Sequence, residues 1–373
     1  MYIEKANTEQ IVQAIRGLRM ADDHAVLILI AEKEKSCVTE MISTLNRKGI
    51  DFFGGIFPNV IYGDRQYEEG AIIEILPVLE KPFLIKGLDT EDIILPNFEK
   101  AITEGRDKDY AAVIILDGLT SNISLFLSEL FNRLGNLVHY FGGGAGSLTL
   151  KQDPCVFTAE GFVQDAAIVT FVKLRTVLGV RHGWKQIMGP VVATKTRKNV
   201  IMELNWRNAF EVYREVVDAD SGTRLTKKDF FNIAKAYPFG IYSEGGEDIV
   251  RESIAANEKG ELVCVGEVPE NAMLSILKGT KSSLIQAAGQ ATEACRHPDG
   301  RKIRCCLVID CISRVLFLKD DFTEELATVQ TGISSISADI IPEGILTLGE
   351  ISSYGSGIPE FLNKSIVVGA FYE

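Results

Sequence analysis

Histidine is scarce in this 373-residue chain, with four in all. Seven cysteines occur but no CxxC pair does, so neither a zinc site nor a disulfide framework is indicated. Reduced, mostly buried thiols are the expectation, and adjacent Cys305 and Cys306 fall on opposite faces of an apolar strand pattern. Positive charge is also short: 39 Lys and Arg against 51 Asp and Glu leave a net charge of −12. No broad basic field is available to draw in nucleic acid. The one basic knot, "TKTRKN" (Thr194 to Asn199), lies between apolar runs and reads as a solvated turn. No run approaches a membrane span and the N-terminal stretch is amphipathic, which predicts a cytoplasmic protein without membrane insertion. GxSxG and HExxH are absent, and no histidine stands in a recognisable order with a nucleophile and an acid.

Glycine, in contrast, is concentrated. "YFGGGAGSLTL" (Tyr140 to Leu150) invites a phosphate-loop reading, but no lysine follows the last glycine. A dinucleotide fingerprint starting at Gly142 needs glycine at position 147, where Ser147 stands, and the sequence beyond reads as extended rather than helical. The cluster belongs instead to a pattern that occurs three times. In the first unit, the strand "AVLILI" (Ala25 to Ile30) precedes a helical stretch around Lys35 to Lys48. "DFFGGIF" (Asp51 to Phe57) and the strand "AIIEIL" follow. The second runs "AAVIILDGL" (Ala111 to Leu119), helix Ser121 to Leu134, "YFGGGAG" and "AAIVTFV". The third runs "CCLVIDC" (Cys305 to Cys311), a helix around Asp321 to Val329, "EGILTLGEI" (Glu343 to Ile351) and "SIVVGAF". Each unit is therefore strand, helix, glycine-marked strand or bend, and returning strand. Glycine at the bend permits close approach of a neighbouring group; three such bends on one rim would form a cleft.

Strand-rich stretches fill the gaps. Val177 to Leu204 reads as strands joined by short turns, and Gly260 to Gly279 as a hairpin turning near Pro269. The polar stretch Asp218 to Lys235 is the best boundary candidate. The expected class is mixed α/β with mostly antiparallel sheets, in two related parts: 1–212 with two units and 213–373 with one unit plus the hairpin.

The ordered segments "DGL" (Asp117 to Leu119), "GGGAGS" (Gly142 to Ser147), "RHGW" (Arg181 to Trp184), "VR" (Val250-Arg251), "CISR" (Cys311 to Arg314), "GILTLGEI" (Gly344 to Ile351) and "FLNKS" (Phe361 to Ser365) resemble the FIST sensory family. The resemblance spans nearly the whole chain. It implies a ligand-sensing module of signal transduction, with amino acids the ligand class usually proposed and haem-based nitric-oxide sensing in one branch. It also implies a histidine kinase or cyclic-di-GMP protein as the recipient, reached through a separate partner because the chain carries no appended output domain. A homodimer is left open. Two segments depart from the family pattern: "FGGIFPNVIYGD" (Phe53 to Asp64) lacks Cys-Ser-Thr, and Ser147 stands where an acidic residue is usual.

The ligand-binding set read from these segments is Gly142, Gly143, Gly144, Ser147, His182, Trp184, Arg251, Cys311, Arg314, Glu350 and Asn363. Arg314 follows a strand and presents a fork suited to a carboxylate, or forms a salt bridge. Glu350 in an apolar setting needs a partner: a ligand ammonium, Arg314 or Arg251. His182 and Trp184 either line a pocket or serve structure, with His182 as a haem ligand a further alternative. Cys311 is an inert thiol unless Arg314 lowers its pKa. An enzyme using Cys311, Arg314 and Glu350 on a small amide or ester is the rival from another class. The expectation for cofactors and metals is none. Arg314, Glu350 and the backbone of Gly142 to Ser147 are expected to share one cleft.

Overall fold

Uninterrupted apolar runs flanked by turn residues become strands buried on both faces. In a computed structural model of the protein, which describes residues 1–18, 20–104, 110–243, 246–353 and 357–373, three such runs open three similar units. These opening strands are His24–Ala31, Ala111–Asp117 and Ile303–Cys311. Each leads into helix: Val38–Arg47, Ile123–Leu134, and in the third unit Ile312–Leu318 followed by Phe322–Ile336. The helix packs back and delivers a glycine strand parallel to the opening one: Phe52–Phe57, His139–Ala145 and Glu343–Thr347. A short hairpin follows, and a return strand then pairs antiparallel on the other side of the opening strand: Ala71–Pro77, Ala166–Val172 and Ile366–Tyr372. The mixed α/β class is thus realised, with antiparallel pairs in the majority.

The register makes the glycines equivalent. Gly54 pairs with Ile28, Gly142 with Ile114, and Gly344 with Val308. A Cβ at these three positions would lie 1.8, 1.8 and 2.0 Å from the partner's carbonyl oxygen, so only glycine fits.

The hairpins do something that the sequence pattern did not announce. Each leaves its own unit and extends the glycine strand of another. The second unit's hairpin (Val156–Thr158 and Gly161–Val163) pairs with the first glycine strand, Val156 opposite Gly55. The third unit's hairpin (Glu350–Ser352 and Glu360–Leu362) pairs with the second, Glu350 opposite Gly143. The first unit's hairpin (Val60–Tyr62 and Arg65–Tyr67) pairs with the third, Val60 opposite Ile345. The exchange closes a ring of three units. At the contact between units, a Cβ on Gly143 would lie 2.7 Å from Thr347 Cγ2 and 2.9 Å from Ile309 Cγ2.

Between the second and third units the chain first adds strand Arg175–Arg181 to the third return strand. It then builds a separate two-sheet module. Lys185–Val192, Met273–Lys278, Phe239–Ile241 and Ile249–Arg251 form one sheet; Lys195–Arg197, Val200–Leu204, Arg207–Asn208, Leu262–Cys264 and Ser253–Ala256 form the other. Its own core joins Val191, Ile201, Phe210, Tyr213, Leu262 and Ile276. The segments within Gly260 to Gly279 do not pair with each other as a hairpin, because each finds a neighbour in a different sheet of the module. The polar stretch Asp218 to Lys235 also does not run free. Leu225, Phe230 and Ala234 are buried in the same core, and 212/213 falls inside helix Ala209–Ser221.

Candidate functional site

The segments "RHGW", "CISR", "GILTLGEI" and "FLNKS" meet inside the third unit, where they form a buried polar network. Arg314 is its centre and is wholly buried. Nε and Nη2 donate to Glu325 Oε1 and Oε2 at 3.0 and 2.5 Å. Nη1 donates to the carbonyls of His182 (2.7 Å) and Lys364 (3.1 Å), and Nη2 also to that of Leu284 (3.1 Å). All five guanidinium donors therefore have protein acceptors. A second buried pair stands beside it. Lys364 Nζ lies 2.7 Å from Glu252 Oε1 and 4.8 Å from the Trp184 ring centre, while Trp184 Nε1 donates to Lys364 O at 3.2 Å.

Glu350 is also fully buried, accepting from Thr347 Oγ1 at 3.1 Å and from the Ser365 amide at 3.0 Å. Burial outweighs these bonds and pushes its pKa up to about 8. Asp310 shares the interior, with Oδ1 3.4 Å from Arg314 Nε. Desolvation and the neighbouring charge of Glu325 drive its pKa well above the carboxylate range. The ring supplies its own control for these acids. At the register position of Glu350 the other two hairpins carry Val156 and Val60, and at that of Asp310 the other opening strands carry Leu116 and Ile30. At both positions the third unit alone is polar.

Cys311 lies 2% exposed against Glu350, and burial holds its thiol far above the usual value, the reverse of what a thiolate nucleophile needs. His182 is 4% exposed; its Nδ1 accepts the Trp184 amide at 2.9 Å, which places the ring proton on Nε2. Burial and adjacent Arg314 lower its pKa to about 3, so the ring is neutral. Its Nε2 faces Glu247 Oε2 at 3.7 Å. Nε2 has no hydrogen-bond partner among the described residues, and it is burial, at 4% exposure, that keeps the ring from presenting an open axial position to haem iron. Among the described residues no group of three His, Cys, Asp or Glu is placed to hold a metal ion.

The glycine run is sheet rather than loop. Gly142 and Gly143 are paired on both sides, and the Gly144 amide donates to Gly349 O at 2.8 Å. Ser147 lies beyond the strand, where its Oγ meets Thr149 Oγ1 at 3.0 Å. Asn363 is buried and donates to its neighbour's carbonyl, Leu362 O, at 3.0 Å. Arg314, Glu350 and the run's backbone thus stand in interior structure.

An open pocket of about 280 Å³ lies on the other side of this framework. One wall is Gly118 to Ser124, the turn and first helical residues after "DGL". The facing wall comes from the two-sheet module: Lys198 and Asn199 at one hairpin turn, Val265 to Glu267, and Arg251. Phe361 closes the floor, and its ring requires glycine beneath it. A Cβ on Gly349 would lie 2.3 Å from Phe361 Cζ, and one on Gly144 would lie 3.2 Å away. Arg251 is the sequence-predicted residue that lines this pocket. It is anchored there by Glu267 O (2.9 Å), Phe361 O (3.1 Å) and Val250 O (3.1 Å), with Glu360 Oε2 at 3.8 Å. Thr120, Ser121, Ser124 and Lys198 line it without having been singled out in the sequence. For Thr120 and Ser121 the signal is a hydroxyl-rich turn directly after a buried strand, in the segment "DGLTSN".

The pocket thus stands between the ring of α/β units and the two-sheet module inserted between the second and third of them. Sequence models of two family domains match the chain, the FIST N domain over residues 78–207 and the FIST C domain over 209–353. The chain belongs to the FIST family, whose domains are associated with small-ligand binding in sensory signal transduction. No curated protein matches the sequence. The pocket draws Gly118 to Ser124, Lys198 and Asn199 from the first matched segment and Arg251 and Val265 to Glu267 from the second. Among the described residues no helix is long and apolar enough to cross a membrane.

Proposed function

We propose that the protein is a cytoplasmic sensor that binds a small molecule, such as an amino acid, in the pocket between its FIST N and FIST C parts and passes the signal to a separate partner. The partners in keeping with the family are a histidine kinase or a cyclic-di-GMP signalling protein. The observation that carries the reading is the pocket itself: a polar recess whose walls come from both matched segments, so that a ligand bridging them would change how they are held together. The role of the Arg314 network in this reading is to fix the wall, not to touch the ligand. Glu252, the one residue between strands Ile249–Arg251 and Ser253–Ala256, is bonded to Lys364 and Ser313 of the third unit and ties the module to the ring.

The test is a thermal-shift screen of the twenty amino acids, followed by mass spectrometry of the recovered ligand. A concentration-dependent rise in melting temperature with unchanged ligand is expected. Chemical conversion of the ligand would favour an enzyme instead.

A further inference from the structure

Helix Ile123–Leu134 begins in the pocket wall without a side-chain cap. Its N-cap residue Asn122 turns its amide away, donating to Leu88 O at 3.0 Å and Thr90 O at 2.9 Å. No acidic residue occupies the first turn, so the positive end of the helix dipole and its first amides are left uncompensated beside Ile123 and Ser124 on the pocket wall. A second observation is independent of the helix. Thr120, also on that wall, is 8% exposed, and its Oγ1 meets no hydrogen-bond partner among the described residues. A buried hydroxyl without a partner is costly and marks a place where another molecule can complete the set. Across the pocket stand Lys198 and the Arg251 guanidinium, the latter lending charge while its bonds hold it in place. The opposing charges are Glu267 on the lining and Glu360 near Arg251. Two positive and two negative charges thus balance here, against a net −12 for the chain, and what the wall adds is hydrogen-bond donors.

We infer that the pocket seats an oxyanion at the N-terminus of helix Ile123–Leu134, held by Thr120 and the first-turn amides and attracted by Lys198 and Arg251. Carboxylate and phosphate share the required chemistry: several acceptor oxygens around one negative centre. The inference rests on the reading of this pocket as the ligand site, and it specifies which end of the ligand is recognised.

The experiment is calorimetric titration of the full chain with glycine, glycinamide, succinate and inorganic phosphate, using wild type, Thr120→Val, Lys198→Gln and Ser121→Trp. Binding by an acid-bearing probe but not by glycinamide is expected, weaker at high salt. Succinate or glycine against phosphate separates the two sources of the oxyanion. Thr120→Val should weaken binding about tenfold, the loss of one hydrogen bond to a charged group, yet leave the ligand-free melting temperature unchanged or raised. A purely structural threonine would give the opposite pair of results. Lys198→Gln, on an exposed turn, keeps the test valid if Thr120→Val fails to fold, and it too should weaken binding. Equal binding of glycine and glycinamide, abolished by Ser121→Trp, would overturn the oxyanion while sparing the pocket. No binding of any probe at millimolar concentration would overturn both.

Discussion

Arg314 and Glu325, eleven residues apart and both wholly buried, meet through two guanidinium nitrogens and both carboxylate oxygens. This is the charge partner that the apolar surroundings of Arg314 demanded, in place of a ligand or Glu350. Because three further donors reach the carbonyls of His182, Leu284 and Lys364, one side chain pins four separate stretches of chain.

Arg314→Met leaves the Glu325 carboxylate buried and unpaired, and a loss of about 3–5 kcal/mol is expected. Adding Glu325→Leu should recover part of it but not all, since the three carbonyls stay without their donor. Urea denaturation of the two variants checks both halves of the statement.

The three register-equivalent glycines should respond alike. Gly54→Ala, Gly142→Ala and Gly344→Ala each push a methyl into a carbonyl oxygen, and losses of at least about 2 kcal/mol are expected. Gly17, at the end of helix Thr8–Gly17 with nothing near its would-be Cβ, is the control and should tolerate alanine. Thermal melts of the four proteins decide the point.

Much of this fold was readable from the chain. Runs such as "AAVIILDGL" are buried because their composition leaves them no other place, and the glycines mark where two backbones come too close for a side chain. The hairpin exchange was hidden because strands of three residues, such as Val60–Tyr62 and Glu360–Leu362, carry no pairing preference of their own. Glu325 was hidden for a different reason: within "FTEELATVQ" it looks like one more polar residue on a solvated helix face, and only the packing of that helix over Arg314 buries it. At the pocket, Arg251 came from a motif, whereas Thr120 and Ser124 read as ordinary turn and capping residues. Lys198 reads as a turn residue and stands in one, but the sequence does not reveal what that turn overhangs.

Glu350 predicts a pH dependence. Unfolded, its carboxyl releases its proton near the usual 4.5; folded, it holds the proton until about 8. Between those values the unfolded state is the one with fewer protons, so this group's contribution to stability falls as pH rises from about 4.5 to 8 and is flat outside that window. The melting temperature of the wild type relative to Glu350→Gln should fall as pH rises across this range, because the variant lacks this component of the slope. Parallel curves would show that Glu350 titrates normally.

The proposed function requires a small molecule to bind between the two matched parts at the wall formed by Gly118 to Ser124. Ser121 is exposed on that wall, so tryptophan there can fill the recess without disturbing the core. The most direct measurement is calorimetric titration of wild type and Ser121→Trp with whichever amino acid gives the largest thermal shift. Saturable one-to-one binding to wild type, lost in Ser121→Trp at an unchanged melting temperature, is the predicted result. Equal binding to both proteins would contradict the claim and place the ligand elsewhere.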